Sequence, residues 1–154
     1  MKNATINLGR NEFGQTEGGL VYGGLHVQIE DVRFPDARWT DFVVVVLAWW
    51  CRALARVLEG EKGPVKVRFM EGPYLVNVGP MAEDSIRLEL VEAGLKPYIR
   101  YDGDVSSSHL IESLLSAAVS TLSECKAHSW WSSDADELAE AMSTLRRKSG
   151  RTVN

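Results

Sequence analysis

Residues 39–58 read WTDFVVVVLAWWCRALARVL, and ten consecutive uncharged residues, Phe42–Cys51, lie between Asp41 and Arg52. The segment predicts one helix, Trp39–Leu58, whose first half is apolar on every side. Because such a helix must be buried on every side, we expect it at the centre of the core or against a partner. Ten residues are far fewer than the roughly 20 that span a bilayer, so we expect no transmembrane helix here.

Alternating apolar and polar residues predict strands on both sides of this helix. Before it, the alternation runs through residues 4–8 and 20–30, and we expect a bulge or bend where Gly23-Gly24 interrupts the second run. After it, four short alternating runs with tight turns predict an antiparallel meander. Pro97 places the last of these strands at an edge or delays its start.

A helical period returns after residue 104, in two further segments. The order β-β-α-β-β-β-β-α-α predicts an α+β fold, with a single antiparallel sheet of about six strands. We expect the long buried helix and the two C-terminal helices to pack mainly on one face of that sheet. A length of 154 residues fits one domain, predicted over residues 1–148, with a frayed basic tail over residues 149–154.

Composition indicates a soluble globular protein and limits its partners. The 17 basic and 21 acidic residues leave a net charge of −4, which disfavours direct binding to nucleic acid and is compatible with a basic protein partner. The N-terminus lacks the apolar run of a signal peptide. Cys51 and Cys125 occupy apolar helix positions, which predicts reduced, buried thiols in a cytoplasmic protein, with a disulfide between them left open.

Motifs for catalysis and ligand binding are weak. The glycine-rich segment Gly18–Gly24 matches neither the dinucleotide-binding pattern nor the P-loop, and none of the three histidines has a second ligand at metal-binding spacing. Asp102 and Asp104 begin like a calcium loop, but the later ligand positions are missing. We therefore predict no catalytic residue, no cofactor and no metal. Asp41 is the carboxylate to test as an acid or base, because it borders the apolar segment.

The most suggestive surface feature is a tryptophan pair in a predicted loop, followed by an acidic first helical turn. This combination suits a binding hot spot with a charged rim, although helix capping and core packing also explain these residues. We predict a protein-binding surface that also includes the acids of the turn around Gly103. Its residues are Trp130, Trp131, Asp134, Asp136, Glu137, Glu140, Asp102 and Asp104.

In this layout the chain resembles small bacterial immunity proteins of polymorphic-toxin and contact-dependent growth inhibition systems. The resemblance is one of organisation and spans nearly the whole chain. It is carried by Phe34-Pro35, Trp39-Thr40-Asp41-Phe42, Trp49-Trp50, Phe69-Met70-Glu71-Gly72-Pro73-Tyr74 and the helix pair around Trp130.

The resemblance implies a cytoplasmic, non-catalytic protein with no membrane partner. Such a protein binds the C-terminal domain of a cognate toxin and blocks its active site or an essential surface. The acidic net charge suits a basic toxin domain, such as a nuclease, through electrostatic steering.

Two other interpretations stay open. A long apolar helix wrapped by an antiparallel sheet is also similar to the hotdog fold of acyl-CoA thioesterases and dehydratases, for which Asp41 and His26 are the candidate catalytic residues. The two C-terminal helices depart from that pattern. The third interpretation is a homo-oligomeric accessory module, for example a homodimer, in which the apolar half of the helix meets a symmetry mate.

Overall fold

A computed structural model describes residues 1–9 and 12–151 of the chain. Within them the protein is α+β, as predicted, and the strands form two antiparallel sheets instead of the single predicted sheet. The elements are β1 (Ala4–Leu8), β2 (Gly14–Gln15), β3 (Val21–Ile29), β4 (Val32–Phe34), β5 (Thr40–Asp41), α1 (Val43–Leu58), β6 (Val65–Arg68), β7 (Tyr74–Ala82), β8 (Ser85–Glu92), β9 (Tyr98–Ser106), α2 (Ser107–Ala127) and α3 (Ser133–Lys148).

The first sheet is organised around β3, with which β1, β2, β4 and β5 all pair. A bulge or bend was predicted at Gly23-Gly24, where β3 continues as one strand and both glycines pair with β5. On its other edge the partner changes at these residues, from β2 at Tyr22 to β1 at Leu25. Glycine is required at Gly24 for another reason. A Cβ there would lie 2.7 Å from the Cα of Gly9, whose N–H donates to the Gly24 carbonyl at 2.9 Å.

The second sheet is the predicted meander, with strand order β6-β7-β8-β9. β9 begins at Tyr98, directly after Pro97, and it is the last strand of the meander. A parallel bridge between Lys2 and Val105 joins this strand to the N-terminus of the chain, and the Ser106 N–H donates to the Lys2 carbonyl at 2.9 Å. This bridge connects the two sheets at one point.

Helix α1 begins at Val43, four residues later than the predicted start at Trp39. The preceding residues are extended because β3 offers them hydrogen bonds: Thr40 and Asp41 pair with its glycines, and the Trp39 carbonyl accepts from the Leu25 N–H at 2.9 Å. α1 packs against the meander, β3, α2 and α3, so the prediction of a central buried helix is confirmed. Trp50 is completely buried within it.

The end of α3 is fixed by hydrogen bonds. The Arg151 N–H donates to the Arg146 carbonyl and the Gly150 N–H to the Arg147 carbonyl, which is the Schellman arrangement with Gly150 at a positive φ of 73°. The Arg151 guanidinium also donates to the Ser108 carbonyl at 3.1 Å. Residues 149–151 of the predicted frayed tail are held in this way, and residues 152–154 lie outside the described residues.

The helices of residues 1–9 and 12–151 are all too short or too polar to cross a bilayer.

Candidate functional site

The predicted tryptophan pair lies in the turn between α2 and α3. Trp130 is partly buried against the core, and its ring stacks on His128 with centroids 4.3 Å apart and an interplanar angle of 17°. The backbone N–H of Trp130 donates to the Cys125 carbonyl at 2.8 Å, and this hydrogen bond ends α2. Trp130 therefore anchors the turn.

Trp131 points outward, with 41% of its surface exposed. Its Nε1–H donates to Asp136 Oδ1 at 2.8 Å, and the Lys126 ammonium lies 5.9 Å from the ring centre. A carboxylate thus holds one edge of the indole while a cation faces the ring. The arrangement keeps a large aromatic side chain in one orientation at the surface.

Acidic residues of α3 continue from this indole. Asp134 and Asp136 occupy the first turn, where negative charge suits the positive end of the helix dipole. Glu137 lies 3.9 Å from Arg52 of α1. With Glu140 it lines a groove of about 370 Å³ between the two helices. Six predicted residues therefore belong to the α2–α3 turn and the first turns of α3, a region that we call the tryptophan surface: Trp130, Trp131, Asp134, Asp136, Glu137 and Glu140.

The other two predicted residues, Asp102 and Asp104, lie elsewhere. They belong to the outer face, the side of the meander that points away from α1. We define this face by its outward residues, which are Lys66, Arg68, Leu75, Asn77, Arg87, Glu89, Val91, Ile99, Asp102 and Asp104. Because the sheet and α1 separate it from α3, the eight predicted residues do not form one surface.

Asp102 is already engaged on that face. Arg87 donates from Nε and Nη2 to its two carboxylate oxygens, each at 2.8 Å. These hydrogen bonds hold the pKa of Asp102 below its usual value.

Asp41 is the residue whose surroundings the sequence did not predict. It is 2% exposed, and its carboxylate accepts four N–H groups from two segments of the chain. Oδ1 accepts from the backbone of Phe42 at 2.7 Å and of Met70 at 3.2 Å. Oδ2 accepts from Trp39 Nε1 at 3.0 Å and from the backbone of Glu71 at 3.3 Å. The carboxylate therefore fastens the β6–β7 turn to the start of α1.

Four aromatic rings pack beside this carboxylate. Phe34, Trp39, Phe69 and Tyr74 meet edge to face in four pairs, with centroids 5.0 to 6.4 Å apart. Phe34 lies in β4 and Trp39 directly before β5, whereas Phe69 and Tyr74 lie at the two ends of the β6–β7 turn. The cluster therefore ties the five-stranded sheet to the meander.

A groove of about 580 Å³ opens next to this cluster, lined by Trp39, Tyr74, Arg38 and Arg100 among others. Arg100 crosses it, with Nη1 at 3.1 Å from Glu92 Oε1 and hydrogen bonds to the backbone carbonyls of Arg33 and Pro35. Its guanidinium also lies 5.8 Å from the ring centre of Phe34.

The structure brings together three of the five segments that carried the resemblance, whereas Trp49-Trp50 and the helix pair around Trp130 lie elsewhere. Phe34-Pro35, Trp39–Phe42 and Phe69–Tyr74 are distant in sequence but form this one cluster. The sequence signal was the unusual density of aromatic and turn residues in each segment. Their contact with one another depends on tertiary pairing, which that signal does not contain.

The remaining candidates have structural surroundings. His26 accepts from Asn7 Nδ2 at 3.3 Å, and burial lowers its pKa. Both cysteines are free and buried, and burial raises the pKa of the Cys51 thiol to about 12, so this thiol is unreactive at neutral pH. Residues 1–9 and 12–151 contain no group of three His, Cys, Asp or Glu side chains placed to hold a metal ion.

Comparison of the chain with protein-family models, with curated proteins and with solved structures gives no match. The functional argument therefore rests on the geometry of these surfaces.

Proposed function

We propose that this protein is an immunity protein, which binds the C-terminal domain of a cognate bacterial toxin and neutralises it by covering its active site or an essential surface. The observation that carries the proposal is Trp131, an aromatic side chain 41% exposed and fixed by Asp136 at 2.8 Å. Tryptophan is enriched in binding hot spots, and a side chain that is ordered before binding loses little entropy on binding.

The charges around Trp131 favour a basic partner. Asp136 contacts Trp131, and Asp134, Glu137 and Glu140 follow on the same helix; of these, Glu137 lies 3.9 Å from Arg52. Acidic side chains at the rim of an interface accelerate the encounter with a cationic protein. A basic toxin domain, for example a nuclease, fits this surface.

The direct test is to identify a toxin gene directly upstream of this gene and to co-express the C-terminal domain of that toxin with this protein. We expect the native protein to restore growth and to form a complex with that domain. Trp131→Ala should weaken the complex by about 30-fold, which corresponds to a hot spot of roughly 2 kcal/mol. Tyr22→Ala is the matched control, because Tyr22 is an aromatic residue on β3 with a similar exposure of 38%.

Charge reversal tests the acidic rim separately. Glu140→Lys should slow association, and the effect should shrink at high salt because screening removes long-range steering. Failure of the native protein to bind the toxin domain would disprove the proposed function. Equal affinities for Trp131→Ala and Tyr22→Ala would instead remove the tryptophan surface from the binding site.

A further inference from the structure

The groove of about 370 Å³ between α1 and α3 has a small apolar base. Two of its lining residues are nearly buried alanines, Ala55 of α1 (5% exposed) and Ala141 of α3 (4% exposed). Because neither side chain extends beyond a methyl group, the two helices leave a depression here. Charged side chains form the more exposed part of the lining. The groove therefore combines an apolar base with a charged rim.

Ion pairs bracket this groove along both helices. Arg52 lies 3.9 Å from Glu137, and both residues precede the alanine of their own helix. Glu59 lies 2.9 Å from Lys148, and both residues follow it. These four charges of the groove and its ends are therefore matched within the chain.

Glu140 is the charge of this groove that stays unmatched. Arg56, the other arginine of the lining, lies 3.2 Å from Glu61. In the part of the chain that the structure describes, Glu140 forms no ion pair. Four glutamates stand against two arginines and one lysine in the groove and its ion pairs, which leaves one negative charge. A cationic group that enters the groove neutralises this charge, whereas an anionic group is repelled.

Glu140 is also close to the exposed indole of the tryptophan surface. It lies four residues after Asp136, whose carboxylate accepts the Trp131 Nε1–H at 2.8 Å. Side chains at this spacing lie on the same face of a helix, about 6 Å apart. The indole and the groove are therefore within reach of one partner.

We propose that this groove receives a basic side chain, an arginine or a lysine, of the toxin domain. The inference rests on the proposed function and names the chemistry of the contact. The aliphatic stem of the basic side chain lies over Ala55 and Ala141, as such stems do on apolar surfaces. Its cationic head donates to the Glu140 carboxylate and to the hydroxyl of Thr144, which also lines the groove.

A lysine supplied by the protein itself should compete with the side chain of the toxin. In Thr144→Lys the new ammonium group stands four residues after Glu140, which is the favourable order for an ion pair on a helix. We expect the affinity for the toxin domain to fall about tenfold, mainly through faster dissociation. The urea midpoint of the variant should stay close to that of the native protein, so that misfolding does not explain the loss.

Ser116→Lys is the matched control for this substitution. It also places a lysine four residues after a glutamate, Glu112, at an exposed position of a helix. Because Ser116 lies on α2 and does not line the groove, the control should keep the native affinity. Surface plasmon resonance with the immobilised toxin domain measures the affinity and dissociation rate of both variants.

Double-mutant cycles identify the side chain that enters the groove. Glu140→Gln keeps the size of the side chain and removes its charge, and each arginine and lysine of the toxin domain is changed to alanine in turn. One of these basic residues should show a coupling of about tenfold to Glu140, and the others should be additive with it. Whether that residue is an arginine or a lysine then follows directly.

The outcomes separate this inference from the proposed function. If the native protein does not bind the toxin domain, both fail. If it binds, but Thr144→Lys binds as tightly as Ser116→Lys, the groove is not part of the interface and the inference alone fails. The absence of any basic residue coupled to Glu140 would overturn it in the same way.

Discussion

At the residue scale, Asp41 shows how a buried charge is stabilised without an opposite charge. Both oxygens of its carboxylate accept two N–H groups, from the β6–β7 turn, the start of α1 and the Trp39 indole. Burying a carboxylate is costly unless hydrogen bonds replace its water, and four charge-assisted bonds do so here. Because its acceptor positions are filled, the geometry favours a structural role for Asp41 over the acid–base role considered from the sequence.

The first prediction concerns this residue. Asp41→Asn should lower the free energy of unfolding by about 2–4 kcal/mol, because the new amide group places donors against two of the four buried N–H groups. Urea denaturation measures the change. Asp31→Asn, in the exposed turn after β3, is the control and should change stability by less than about 0.5 kcal/mol.

The hotdog interpretation makes the opposite prediction. It requires acyl-CoA turnover by the native protein, abolished by Asp41→Asn while the unfolding midpoint stays the same. That pair of results would contradict the structural role of Asp41.

The sequence indicated Asp41 only as a carboxylate at the border of an apolar run. Its partners Met70 and Glu71 are about 30 positions away and contribute backbone groups, so no side-chain motif marks them. Trp131 was easier to single out, because an indole and its acidic neighbours are adjacent in the chain. The Nε1–H bond to Asp136 spans five residues and depends on the turn between the helices.

At the element scale, a bulge in β9 joins the two sheets. Leu90 faces Tyr101 and Val91 faces Ile99, which leaves Arg100 as the extra residue of the strand. The bulge directs its guanidinium away from the outer face, where it donates to the carbonyls of Arg33 in β4 and of Pro35 directly after this strand. One irregular residue thus supplies much of the polar contact between the sheets.

The second prediction tests this connection. Arg100→Lys should lower the free energy of unfolding by about 1–2 kcal/mol, because an ammonium group keeps the ion pair with Glu92 but not the planar fork that reaches both carbonyls. Denaturant unfolding is again the measurement.

Arg87→Lys is the matched control on the same sheet. Arg87 has the shorter, bidentate ion pair, yet its side chain is 56% exposed and links strands that are already hydrogen-bonded. We expect a smaller change in its unfolding midpoint than for Arg100→Lys. A larger change for Arg87→Lys would contradict the assigned role of the bulge.

Periodicity predicted the long elements and missed the short ones. β1, β3, the meander and the three helices follow alternation or a helical period, but β2, β4 and β5 have only two or three residues and carry no period. The start of α1 was predicted too early for the same reason. Trp39–Phe42 directly precedes the apolar run and so fits the start of a helix, but pairing of β5 with β3 overrides it.

At the scale of the whole molecule, α1 connects all the parts. It contacts the meander on one side, β3 at its start, and α2 and α3 on the other side. The central position of this helix was predictable, because a helix whose first half is apolar on every side must be covered by other elements on every side. The division into two sheets was not, because alternation shows which face of a strand is buried but not which strand lies beside it.

The third prediction follows from this arrangement. If either sheet unfolded alone, it would expose apolar side chains of α1 to solvent. We therefore expect one cooperative unfolding transition with no populated intermediate. Far-UV circular dichroism and tryptophan fluorescence should give the same urea midpoint, since the five tryptophans report on the aromatic cluster, the core and the α2–α3 turn. Separate midpoints would show that the five-stranded sheet and the meander unfold independently.

The apolar surface of the first half of α1 also has a consequence during synthesis of the chain. The helix leaves the ribosome before the 90 residues from Glu59 to Lys148, which include the meander and both C-terminal helices that cover it. At about 5–20 residues per second, these segments follow over roughly 5–20 seconds. During that time the nascent chain exposes an apolar segment that lacks its native contacts. We expect ribosome-associated chaperones to bind residues 43–51 of the unfinished protein.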